Sequence, residues 1–418
     1  MHAAIVLLVL VLTYAGMAAG RIAWLQVDRT GIALLAVIAL LASGQMTLDD
    51  FGGDIDMPTI AFLFAMMIIS AQFAQSGFVD LCARTIIDTP RGVAALLGLT
   101  VAIAGALSAV LASDIVIIAI APLLIAGARS RGLDPRPLVI ALAAATNAGS
   151  AATLIGNPQN ILIGSLGRLA FYSFLTVCAV PALFALVVVF AVVWLQWRRR
   201  IVLTSPAATD QPPSLAGRPF DRNQTIKGAA AVLALLVLFA TPLPRETGAL
   251  IIAALLLANR KITSRTMIAA VDWPLLLLVS CLFAITGALN QAGVAGPLLG
   301  FLTEHRLLPD NLLLLTPFSV LTSNAIGGVG ASMLLLQLWP TAPPGTLYAL
   351  ALLLSLAGNL LLTGSLTNVL IAERAERMGV RLGFAEHARA GVPIALASIG
   401  FAVLWLSLAH TLPLLPAG

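Results

Sequence analysis

The stretch Thr146-Asn147-Ala148-Gly149-Ser150-Ala151-Ala152-Thr153-Leu154-Ile155-Gly156-Asn157-Pro158-Gln159-Asn160 lies in an otherwise apolar run and decides the fold. Pro158 lacks an N–H and clashes with the carbonyl one turn back; Gly149 and Gly156 permit non-helical backbone. The pattern predicts a helix over 137–165 that unwinds in its middle. A second copy reads Ser355-Leu356-Ala357-Gly358-Asn359, then Thr363-Gly364-Ser365-Leu366-Thr367-Asn368, without the proline. It predicts a second broken helix over 345–373. Lipid gives freed backbone no hydrogen bonds, so such breaks must face protein or a water-filled cavity.

Outward from these breaks the chain is apolar. Of its 418 residues 60% are hydrophobic and 10% charged. That is the composition of an all-α polytopic membrane protein. Further spans are expected near 3–20, 30–45, 57–76, 171–197, 227–242, 247–259, 273–291 and 391–410, for about 10–11 transmembrane helices in all. Nothing basic precedes 3–20, so it reads as a helix that stays rather than a removed signal. Two stretches, 93–128 and 296–340, are too long for one span and carry polar centres at Ser113-Asp114 and Ser323-Asn324. Arg84 and Arg91 precede the first, and Arg129, Arg131 and Arg136 follow it, so both its ends want the cytoplasmic side. It reads as a re-entrant hairpin, and the second as its mate entering from the other face. Of 23 Lys and Arg residues, this topology leaves Arg168, Arg245 and Arg306 outside, together with the amino terminus.

The duplication extends further. Ser323 follows Ser113 by 210 residues, Asn368 follows Asn160 by 208, and Asp272-Trp273-Pro274 follows Asp56-Met57-Pro58 by 216. The mates run in opposite directions, which makes them inverted repeats. Residues 1–200 form the first repeat, 201–226 a cytoplasmic linker rich in Pro, Ser and charge, and 227–418 the second repeat.

Asp114 is the carboxylate this topology places deep in the membrane. Unpaired and ionised there, it costs several kcal/mol, so it must be protonated, paired or wet. It suits a coupling-ion ligand or a proton carrier; alternatively it caps the hairpin's second arm. Beside it and Ser113, the first break offers Asn147, Ser150, Thr153, Gly156, Asn157, Pro158 and Asn160. The mirror set is Ser323, Asn324, Gly327, Gly328, Asn359, Thr363, Gly364, Thr367 and Asn368. Asp114, Asn160, Asn324 and Asn368 are the candidate Na⁺ ligands. No buried Arg or Lys is expected as a counter-charge, so an anion would rely on half-helix N-termini and a co-bound cation. The four histidines fall at helix ends or in loops, and neither a Walker motif nor a nucleophile–base constellation is found. An enzyme, a cofactor and a nucleic-acid partner are not expected. Cys82, Cys178 and Cys281 lie far apart and read as small buried hydrophobes.

With these residues the chain resembles the ion transporter superfamily, which groups divalent anion–sodium symporters, arsenite permeases, citrate–metal carriers and some sodium/proton antiporters. Gly149-Ser150 through Asn157-Pro158-Gln159-Asn160 resembles that family's first broken-helix motif, and Ala357-Gly358-Asn359 through Asn368 to Glu373 its second. The resemblance implies re-entrant hairpins, broken helices, elevator-like movement and a homodimer. The symporters carry Ser-Asn-Thr at each hairpin tip; here the tips read Ser113-Asp114-Ile115 and Ser323-Asn324-Ala325. The acidic first tip is closer to the arsenite permease and antiporter branches.

The resulting expectation is a secondary transporter of a small anion, a dicarboxylate or an inorganic oxyanion of the arsenite class. It would be coupled to Na⁺ or H⁺ and sit in the cytoplasmic (inner) membrane of a prokaryote. An external ATPase subunit is left open as a partner. The alternatives are a sodium/proton antiporter built on Asp114 and, from another class, a membrane enzyme or a non-transporting scaffold.

Overall fold

The computed structural model describes residues 2–19, 27–199 and 217–414. Most of the expected linker, 201–216, lies outside the described residues. The first half contains α1 (His2–Ala19), α2 (Arg29–Ala42), α3 (Leu48–Asp54), α4 (Met57–Gln75), α5 (Phe78–Ile87), α6 (Gly92–Ser108), α7 (Ser113–Ser130), α8 (Arg136–Ser150), α9 (Pro158–Leu166) and α10 (Phe171–Trp197). The second contains α11 (Arg222–Leu238), α12 (Arg245–Leu257), α13 (Ser264–Ala269), α14 (Trp273–Gln291), α15 (Ala295–Glu304), α16 (Leu312–Leu338), α17 (Pro344–Ala357), α18 (Leu366–Arg377) and α19 (Phe384–Leu408). The described residues form no strand. The order of long and short helices repeats, with α16 standing where α6 and α7 stand.

Six helices are long and apolar enough to cross a membrane, and four shorter apolar helices accompany them. α4 and α14 have 19 residues each, about 28 Å, close to a bilayer's hydrocarbon thickness. Their starts are built alike. The Asp56 carboxylate accepts from Thr59 N at 2.8 Å and that of Asp272 from Leu275 N at 3.0 Å, each with a proline in the first turn. These caps satisfy donors the helix leaves orphaned. Large apolar side chains such as Leu183 and Val187 of α10, Leu233 of α11 and Leu396 of α19 are exposed, as a lipid-facing surface requires.

The halves interlock. α2 packs on α14 and α12 on α4. Within each half the hairpin helices lie on the broken helix, α6 on α8 and α16 on α17. Across the halves, α7 packs on α18 and α16 on α9. α8 is buried along its length from Pro137, so its break faces protein rather than lipid.

The breaks fall where the glycines and Pro158 place them, at 151–157 and 358–365. Other expectations need correction. The first turn is 109–112, and Ser113 and Asp114 are the first residues of α7 rather than the tip itself. The stretch 296–340 is not one hairpin. Its beginning is the separate helix α15, and the second hairpin lies within α16, turning at Gly327 (φ 83°, ψ 160°) rather than at Ser323-Asn324. α15 is the mate of α5. It lacks the charges Asp80 and Arg84 of α5, and the charged segment Glu304-His305-Arg306 to Asp310 divides it from α16.

Candidate functional site

The two breaks are braced by the same bonds in each half. Asn160 Nδ2 donates to Ser150 O (3.2 Å) and Thr153 O (2.9 Å); Asn368 Nδ2 donates to Gly358 O (2.8 Å) and Leu361 O (3.1 Å). Donor and both acceptors each shift by 208 residues. Carbonyls freed by unwinding are costly if left unpaired, so each break carries its own amide to meet them. Asn157 N-caps α9 through Asn160 N (2.8 Å), and Ser365 caps α18 through Thr367 N (3.2 Å).

The halves also bond to each other under the same offset. Asn157 Nδ2 donates to Ser355 Oγ (3.1 Å), and Ser365 Oγ donates to Asn147 Oδ1 (3.0 Å). Asn147 Nδ2 donates to both Asn359 Oδ1 (2.9 Å) and Asn368 Oδ1 (3.0 Å), so three of the expected amides form one buried network.

Between the breaks and the hairpin turns lies a narrow cavity of ≈ 60 Å³. Of the expected residues, Ser113, Asp114, Asn147, Ser150, Asn157 and Pro158 line it from the first half, and Ser323, Gly327, Gly328, Gly364 and Thr367 from the second. The others stand behind its wall. The Thr153 hydroxyl bonds to Ala109 O (2.5 Å), fixing the first turn to the first break, and Gly156 O accepts from Ser113 Oγ (3.2 Å). Thr363 contributes its carbonyl. Asn160, Asn359 and Asn368 are occupied in bracing. Asn324 differs. Its amide nitrogen bonds to Val320 O and Ala357 O, while its Oδ1 is buried and finds no donor among the described residues.

Asp114 is half-buried in the first turn of α7. It does not cap that helix, and it makes no hydrogen bond or ion pair among the described residues. Ser70 of α4 holds the turn instead, accepting from Ala112 N at 2.9 Å. Asp114 also lines a second, wider cavity of ≈ 710 Å³, together with Asp80, Arg218 and Asp272. Burial raises the carboxyl of Asp272 above the usual carboxylate range, against the Leu275 N–H. Burial likewise raises Asp80, against the Arg218 amide and charge. The described end of the linker lines one side of this vestibule: Arg84 Nη2 donates to Gly217 O (3.0 Å) and Asp221 N to Ser76 O (2.9 Å).

Sequence inspection misses four contributors. Arg29, at the head of α2, lines the narrow cavity, contrary to the expectation that no basic side chain reaches the site. It reads as a loop charge beside Asp28 because its approach to the second turn is entirely tertiary. Gln159 packs against Gly328 and bonds to Ser355 Oγ (3.0 Å), so first-half sequence reaches the second turn and Ser355 joins the site. His387, expected near a helix end, is 1% exposed in the first turns of α19, with Nε2 3.5 Å from Asn368 Nδ2. No spacing signal marks it.

The model of a family described as CitMHS, citrate transporter, matches residues 8–342. The 46 kDa membrane protein of Mycobacterium leprae (strain TN) is 28% identical over 429 residues, covering 97% of this chain and 98% of its own. An uncharacterized transporter of Mycobacterium tuberculosis (strain CDC 1551 / Oshkosh) is 29% identical over 411 residues, covering 92% and 95%. Among solved structures, the YdaH transporter of Alcanivorax borkumensis superposes with a TM-score of 0.58 over 99% of each chain at 17% identity, a likeness of fold. The ion transporter resemblance read from the broken-helix motifs stands.

Proposed function

The chain belongs to the citrate transporter family of membrane transporters, and on that premise we propose that it is a secondary active carrier of a small anion coupled to Na⁺ or H⁺. One observation carries this reading: Asp114, without a protein partner among the described residues, lines both the narrow cavity and the wide vestibule. A carboxylate in that position meets an ion arriving through the vestibule and faces the enclosed site between the breaks. A bound Na⁺ or a proton neutralises it and removes the cost of an isolated charge. Asn324 Oδ1, buried and undonated, is the complementary neutral ligand for a cation. The amide network of Asn147, Asn359 and Asn368 makes the floor of the site rigid.

The substrate class follows the family description: a carboxylate anion such as citrate or a dicarboxylate, with inorganic oxyanions of the arsenite class behind it. In the topology read from the charges, Asp80, Arg218 and Asp272 are cytoplasmic, so the vestibule opens inward. Alternating access then requires the hairpins and broken helices to move as a body against α2, α4, α12 and α14, in the elevator manner. A homodimer in a prokaryotic inner membrane is the assembly we expect.

The test is uptake of labelled citrate into liposomes holding the purified protein, with imposed Na⁺ or pH gradients. Gradient-stimulated accumulation supports the reading. A Na⁺ gradient that moves protons while no anion moves replaces it with the sodium/proton antiporter, which the unpaired Asp114 would equally serve.

A further inference from the structure

Resting on that reading, we infer that Arg29 is the anion-binding residue of the carrier and takes a carboxylate or oxyanion group at the Gly327 turn.

The Arg29 guanidinium is half-buried and lines the narrow cavity with Ser113, Asp114, Gly327 and Gly328. Its bonds within the protein are long and go to neutral groups: Nε to Met17 O (3.4 Å), Nη2 to Ala325 O (3.3 Å) and Thr363 O (3.4 Å). No carboxylate pairs with it among the described residues, and Asp114 across the cavity forms no ion pair with it. Other arginines that tie backbone together, such as Arg84 and Arg131, reach their carbonyls at 2.8–3.0 Å. Arg136 grips Asp134 at 2.6 Å and Glu386 at 3.1 Å.

The turn is shaped for this side chain. Gly327 adopts φ 83°, and a Cβ there would stand 2.8 Å from Arg29 Nη1. Glycine therefore does two things: it takes the left-handed conformation and it clears the space the guanidinium occupies. Nη1 makes no hydrogen bond among the described residues, so one face of the fork remains for a ligand. A planar guanidinium matches a carboxylate or oxyanion in two parallel bonds.

The charges of the site then make sense together. A cavity holding one carboxylate and one guanidinium, each without an ionic partner, is complementary to an anion and a cation bound at once. Arg29 takes the anion and Asp114 the coupling ion, whose charge offsets part of the anion's.

Arg29 has a mate. Arg245 opens α12 as Arg29 opens α2, at an offset of 216. Arg245 donates to Leu169 O and does not line the cavity, so the pair is alike in position and unlike in use.

The experiment measures initial uptake of citrate, succinate and sulfate into proteoliposomes by wild type, Arg29→Gln and Arg29→Lys. Each variant is also followed for melting temperature and for dependence on Na⁺ and pH. For whichever anion wild type carries, Arg29→Gln should raise KM by roughly 10- to 100-fold, the range for losing a charged bidentate bond. Arg29→Lys should recover part of the loss, and the coupling-ion dependence should be unchanged in both. A KM within twofold of wild type in Arg29→Gln overturns the inference while leaving the carrier reading intact. So does a lowered melting temperature with no KM change, which makes Arg29 a tie between α2 and the second turn. If wild type carries none of the anions but exchanges Na⁺ for H⁺, the carrier reading fails, and the anion role of Arg29 with it.

Discussion

The two hairpin turns occupy equivalent places and are built differently. At the first, residues 109–112 turn without a left-handed residue, Ser70 of the neighbouring α4 holds Ala112 N, and Asp114 follows. At the second, Gly327 turns left-handed, Asn324 stands in place of the carboxylate, and Arg29 lies against the bend. The mate of Ser70 is Thr286, whose hydroxyl bonds within its own helix to Leu282 O and Phe283 O. The breaks behind the turns, in contrast, are braced by the same bonds in both halves. What the backbone needs is duplicated; what the chemistry needs is not. Symmetric positions are therefore where to look for stability, and asymmetric ones for binding.

The strongest challenge to that division is at Asp114. Asp114→Asn should lower coupled uptake by roughly 100-fold, since one charged interaction is worth about 1.5–3 kcal/mol. Asn324→Ala at the matching place should lower it by roughly 10-fold. Equal effects in the liposome assay would erase the distinction between the turns. Next is the backbone itself. Gly327→Ala should cost about 1–2 kcal/mol from its left-handed φ alone, seen as a lower melting temperature. Ala112→Gly at the first turn, where φ is −54°, should change stability by only a few tenths of a kcal/mol.

The symmetric bonds predict matched losses. Ser355→Ala and Ser365→Ala each remove one end of the same contact, Asn157–Ser355 and Asn147–Ser365. The shared contact should account for about 1 kcal/mol in each, with about 1 kcal/mol more for the Gln159 bond of Ser355 and for the α18 cap of Ser365, in denaturation of detergent-solubilised protein. A large mismatch would show that even the bracing is unequal.

The smallest effect lies a layer out, where α3 rests on α14. Burial first, then the charge of Asp50, raises the Asp54 carboxyl above its ordinary value, opposed by the Gln291 amide. A raised folded-state value means stability that is present at low pH and lost as pH rises through it. Asp54→Asn should therefore melt higher than wild type near pH 7, on the order of 1 °C. The difference should close below about pH 4, where the carboxyl is protonated in folded and unfolded chains alike. At the matching place in the second half, Ala270 carries no charge, and a polar substitution there has no such pH dependence.

Legibility followed locality. Pro158, Gly149 and Gly156 announce a break because they act on their own backbone, and so do the aspartate caps ahead of Pro58 and Pro274. The second hairpin was harder to read. α15 lacks the charges of α5 and reads as part of the hairpin, although Glu304-His305-Arg306 and Pro309-Asp310-Asn311 separate the two and the glycines at 327, 328 and 330 mark the bend. The amides of the site are visible as residue types, but their division of labour is not. Asn160 and Asn368 meet the freed carbonyls of their own breaks, whereas Asn324 leaves its oxygen bare.

By itself, the sequence determined a polytopic helical membrane protein, duplicated, twice broken and carrying a carboxylate beside its first hairpin turn. Composition, periodicity and Pro/Gly chemistry are properties of neighbouring residues and of the solvent they require. Only the tertiary structure decided that Asn147 joins Asn359 and Asn368, that Gln159 reaches Gly328, that His387 is buried behind Asn368, and that Arg29 lies against Gly327. Those contacts span up to about three hundred residues and depend on how the two halves interlock, and no local pattern records the meeting of side chains so far apart along the chain.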